Sequence, residues 1–198
     1  SAWLPTQDEP VFNGNVRASE IATRQLKVGT GVQHGSNAVE TLMGNDWSLW
    51  NGGGFGWFGQ INWDNTVYPN DGRYMSDDGA IFPPAGGGVS KFFKAVTGGM
   101  YAVSATITFP SPQQEGRMGL RLRHLGPDGR GDGDGSILAS TFLGTHENSQ
   151  VLTVTWTGWS PPGWRFYFEA YQNTQSGDAT MPRHSGSTPC RASVVQFT

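Results

Sequence analysis

The sequence predicts an all-β chain: a β-sandwich or barrel, with the jelly roll among the options. Two observations carry this. Residues 151 to 174, VLTVTWTGWSPPGWRFYFEAYQNT, alternate by parity on both sides of a Pro-Pro-Gly turn. From residue 92 onward, β-rich segments recur at regular intervals with turn residues between them, and no helical segment intervenes.

Taken in chain order, residues 1 to 14 hold two prolines and little periodicity, so an extended arm is expected. GNVRASEIATRQLKVGTG, residues 14 to 31, differs in kind. Asn15 or Ser19 can cap a short helix over 16–27, with Ala18, Ile21, Ala22 and Gln25 on one side. Such a helix is too short and too weakly apolar to stand alone. It either lies on its own domain or packs as three copies that shield Ile21, Leu26 and Val28 together. Residues 1–35 are therefore read as arm and trimeric neck, and 36–198 as the head.

Residues 44 to 88 are rich in Trp and Gly, with turn dipeptides at Asn51-Gly52, Asp71-Gly72 and Asp78-Gly79. Short strands and long loops are expected there. Strands are then expected at 100–109, 116–125 and 136–143, followed by the 151–174 pair and by 191–197. In the pair, Leu152, Val154 and Trp156 oppose a face of Thr153, Thr155 and Thr157. In the second strand, Trp164, Phe166, Phe168 and Ala170 share one face, and Arg165, Tyr167, Glu169 and Tyr171 the other. Two tyrosines among opposite charges suit burial against protein, because tyrosine covers apolar area while its hydroxyl needs a partner.

Composition narrows the function classes. Charged residues make up 15% and the net charge is −3, so the chain has no electrostatic footprint for nucleic acid. No basic run suits a membrane surface, and no apolar stretch is long enough to insert into a membrane. No apolar leader is visible at the start, so synthesis in the cytoplasm without a signal peptide is expected. The lone Cys190 excludes an intrachain disulfide framework, and a small buried thiol is expected there.

The strand half resembles the globular head of complement's first component, within the complement and tumour-necrosis-factor jelly-roll superfamily. The residues are FKAVTGGMYAVSATITF, where Phe93, Gly99 and Tyr101 match the family spacing and Val96 stands in place of its proline. VLTVTWTGWSPPGWRFYFEAYQNTQSGDA is similar to the family's paired strands ending in a Ser-Gly loop, and ASVVQF to its last strand. The resemblance spans roughly residues 60 to 198. It implies a ten-stranded jelly roll that packs as a homotrimer, with Tyr167 and Tyr171 on an inner sheet against neighbouring subunits. GNVRASEIATRQLKVGTG resembles segments of phage tail-tip and tail-fibre proteins that wind as trimers ahead of a head.

Candidate chemistry is sparse. His34, His124, His146 and His184 are scattered, with no nucleophile motif beside them, so no catalysis is expected. In GPDGRGDGDGS, residues 126–136, Asp128, Asp132 and Asp134 are candidate oxygen ligands for calcium, although the closing Glu of the calcium-loop motif is missing. The competing reading is a hairpin loop, because Asp-Gly is a turn dipeptide first. No other cofactor is expected. Trp57, Trp63 and Asn65 in WFGQINWDN, and Trp159 in GWSPPGW, have the composition of a sugar site: an indole face for a pyranose and an amide for its hydroxyls. Their competing role is core or subunit contact.

Together these readings lead us to expect a virion protein of a phage tail tip or short tail fibre. Its trimeric head would bind a host-surface glycan or protein, and its arm would join other tail proteins. A head-decoration or purely structural tail protein is the alternative, and a wall-degrading enzyme the third.

Overall fold

The computed structural model describes residues 38–54, 56, 58–68, 92–95, 98–129, 135–144 and 148–197. The expected arm and neck, with Ile21 and Leu26, lie outside the described residues, as do Trp57, Asp132 and Asp134. Among the described residues there are twelve strands and no helix. They are β1 Ala38–Leu42, β2 Trp47–Leu49, β3 Gly59–Gln60, β4 Asn65–Tyr68, β5 Phe93–Lys94 and β6 Gly99–Phe109. There follow β7 Arg117–Leu125, β8 Ser136–Gly144, β9 Gln150–Ser160, β10 Arg165–Gln172, β11 Ala179–Met181 and β12 Arg191–Phe197.

The strands form two five-stranded sheets packed as a jelly roll. The first runs β4-β1-β12-β6-β9. The second runs β3-β10-β7-β8, with β5 pairing β10 beside β3. A two-stranded sheet, β11-β2, forms a separate ladder, and its Leu49, Ala179 and Met181 join the core. Every strand pairing among the described residues is antiparallel, which lets each strand keep one face inward and one outward.

The core is the set of inward residues of both sheets. From the first sheet come Tyr101, Val103, Ala105, Ile107, Leu152, Val154 and Val194. From the second come Met118, Leu120, Leu122, Phe166, Phe168 and Ala170. The residues behind the family resemblance sit at this seam. Phe93 meets Phe168 edge-on at 5.8 Å, and Tyr101 packs on Phe166 at 5.6 Å. Both pairs bury large rings, and the edge-on pair is worth about 0.5–1.5 kcal/mol beyond area.

In β9 the alternation reads through directly: Leu152 and Val154 are buried, while Thr153, Thr155 and Thr157 are exposed. β10 is buried on both faces from Phe166 to Gln172. Its second face is covered by its own chain. Phe92 meets Tyr167 edge-on at 5.5 Å, and Phe58 lies 5.4 Å from Tyr171. Tyr171 donates its hydroxyl to the Gly53 carbonyl at 2.6 Å. This corrects the placement of Tyr167 and Tyr171 against neighbouring subunits. Tyr167 is 0% exposed and Tyr171 5% within a single chain, so neither ring has a face left to offer.

Candidate functional site

The outward face of the first sheet is poor in charge, with small polar residues at its middle. Cross-strand register sets its rows. Met100 faces Trp159, and Val195 faces Ala102, which faces Thr157. Ser193 faces Ser104, which faces Thr155, and the Ser104 and Ser193 hydroxyls share a hydrogen bond of 2.9 Å. Glu40, Ser104, Thr106, Arg191, Ala192 and Ser193 line a depression in the middle of the face. Glu40 and Arg191 are paired at 3.9 Å and largely exposed, so their attraction is weak. One end of the face is apolar and open: Trp159 is 61% exposed, Met100 42% and Val195 38%.

A second apolar surface lies on the β8 edge of the other sheet. Among the described pairings β8 bonds only to β7. Its sequence, SILASTFLG, carries no charge, and Ile137 and Phe142 are 52% and 55% exposed. Phe142 stands edge-on to Phe58 at 5.8 Å, and its ring crosses Gly119, where a Cβ would come within 2.8 Å. β9 is likewise an edge, paired only to β6, and its residues 150–160 carry no charge either. Edges of this kind are usually blunted with lysine or proline.

The remaining outward face, over β7 and β10, is closed. Glu169 is 1% exposed and accepts from both Arg121 and Arg123, the latter at 2.8 Å. The Arg121 guanidinium lies 3.6 Å above the Phe58 ring. Arg165 lies 4.7 Å above Phe92 and donates to the carbonyls of Gly126, Pro127 and Gly129. Those three carbonyls, at the start of the aspartate loop, thus converge on a guanidinium. Asp128 is exposed beside them. No group of three His, Cys, Asp or Glu suited to a metal occurs among the described residues.

Where the sheets meet beneath Trp159, His124 and Ser160 share a buried hydrogen bond of 2.8 Å. His124 stacks on Phe166 at 4.9 Å and lies 4.5 Å from Trp164. Burial lowers its pKa from 6.5 to about 4, so the ring is neutral. Ser160 is 0% exposed, and its bond to His124 latches one sheet to the other. Cys190 is 1% exposed, as expected, and burial pushes its thiol up to about 12.

Of the candidate sugar residues, Trp159 is on the surface. Trp63 is not: it is 0% exposed and edge-on to Phe168 at 6.0 Å, which corrects it from a ligand platform to a core residue. Asn65 enters through its backbone, as the partner of Leu42 in β4. Sequence reading passed over Trp50, which is 47% exposed, and the β8 edge. The uncharged run of β8 was the available signal for the edge.

No protein-family model matches the chain, and no curated protein matches it. Solved structures do. An Eiger TNF from S. frugiperda aligns with a TM-score of 0.53 at 9% identity, over 81% of this chain and 92% of that one. Murine APRIL aligns with a TM-score of 0.51 at 12% identity, over 81% and 98%. The chain therefore has the TNF-like jelly-roll fold. At such identities the likeness concerns fold alone.

Proposed function

We propose that this chain is the host-contacting head of a homotrimeric attachment protein, carried at a phage tail tip or short tail fibre. One observation supports the assembly: the molecule exposes two unlike apolar surfaces. One is the end of a sheet face, with Met100, Trp159 and Val195; the other is the β8 edge, with Ile137 and Phe142. A twofold dimer needs one self-complementary patch. Two different patches join head to tail and close into a ring when the rotation allows. In this reading Trp159 is an assembly anchor rather than a sugar platform, because it continues the same row as Met100.

The phage setting rests on the resemblance of residues 14 to 31 to tail-fibre segments. Trimeric presentation would make weak contacts effective, since several linked sites raise avidity without a tight single site. No catalytic step is assigned, and the buried Ser–His latch needs none. The test is binding of the full chain to intact envelopes across a panel of bacterial strains. Retention on at least one strain, lost when that strain's surface polysaccharide is stripped, is the expected result. A trimer that binds no envelope but docks onto phage particles lacking it would be a structural or decoration component, and the adhesin reading would fall.

A further inference from the structure

We infer that Trp50, with Ser48 and Asp178, forms a binding subsite for a neutral pyranose bearing vicinal hydroxyls. This deepens the proposed role as a surface-binding head and rests on it. Among the described residues seven large apolar side chains are exposed, and six lie on the sheet face or the β8 edge: Met100, Val151, Trp159, Val195, Ile137 and Phe142. Trp50 is the seventh and belongs to neither surface.

Its ring is held, not merely exposed. A Cβ on Gly59 would come within 2.7 Å of the Trp50 Nε1 and 3.2 Å of its Cδ1, so the indole rests against bare backbone of β3. A ring seated this way on one side and 47% exposed keeps an open surface for a ligand. An indole with a solvent-facing side suits the C–H face of a pyranose.

The polar partner stands at the same end of the β2–β11 sheet. Leu49 pairs with Ala179 and Ser48 with Thr180, and Trp50 and Asp178 are the next residues of the two strands' chains beyond that last pair. Leu49 and Ala179 are buried, whereas Ser48, Asp178 and Thr180 are exposed. The Ser48 hydroxyl donates to Asp178 Oδ2 at 3.1 Å, which fixes the carboxylate and leaves acceptor capacity for a diol. A carboxylate there favours neutral sugars and repels acidic ones.

The experiment titrates the full-length protein with methyl glycosides of galactose, glucose, mannose and N-acetylglucosamine, and with methyl glucuronide. Indole N–H signals are followed by NMR, and Trp50→Phe assigns the signal. At least one neutral glycoside should shift the Trp50 signal saturably, and the glucuronide should not. Asp178→Asn should weaken the response by roughly tenfold, the loss of one charge-assisted hydrogen bond. Trp159→Ala should leave it unchanged. The inference is overturned if no neutral glycoside shifts the signal, or if Asp178→Asn leaves the titration unchanged. Envelope binding retained without any glycoside response defeats this site alone, whereas loss of both defeats the attachment reading as well.

Discussion

Glu169 sits between Arg121 and Arg123 with 1% of its side chain exposed, beneath the Phe58 ring that caps Arg121. Removing one partner of such a group leaves the others buried and uncompensated. Glu169→Gln keeps the shape but deletes the charge, and should cost about 3 kcal/mol in a urea melt; an unchanged midpoint would contradict this. His124 makes a second residue-scale prediction. Its native pKa is lowered from 6.5 to about 4, so between those values the unfolded chain binds more protons than the folded one. The latch's full contribution is present above pH 6.5 and is lost as pH falls towards 4, by up to about 3 kcal/mol, with no further loss below. The difference in unfolding midpoint between the native chain and His124→Gln should shrink across that window. Residue roles were partly legible. Parity told that Tyr167 and Tyr171 share a face, but not that Phe58 and Phe92 cover it, because alternation encodes orientation and not distant partners.

At the scale of elements, long strands with strict alternation read directly from sequence. β6, β7, β8, β9, β10 and β12 fall within a few residues of their expected limits. β1, β2 and β11 did not, being three to five residues long and defined by long-range pairing: β1 with β12, β2 with β11. Trp63 shows the same limit. Its composition left ligand platform and core contact both open, and packing on Phe168 of β10 decides for the core. The β8 edge carries this scale's prediction. Ile137→Lys, on an exposed position, should change monomer stability by less than about 0.5 kcal/mol and yet dissociate the assembly. Circular dichroism with sedimentation velocity reads both. An Ile137→Lys variant of native mass would show that the edge is not an interface.

For the whole molecule, the fold was legible as an all-β jelly roll, and the aligned TNF-like structures agree with it. Function is less so, because one sandwich serves many roles and the differences lie in surfaces. Here the surfaces divide the labour. One outward face is closed by its own arginines and aromatics. One end of the other, with the β8 edge, is apolar and open. Trp50 stands just past the end of β2. Head-to-tail assembly of the two open surfaces is the central claim, and multi-angle light scattering on the full chain tests it most directly. A mass near three times 21.4 kDa, falling to the monomer value in Ile137→Lys, is the predicted result. A monomer at every concentration would contradict the account and leave Trp159 and Phe142 to be explained by a different partner.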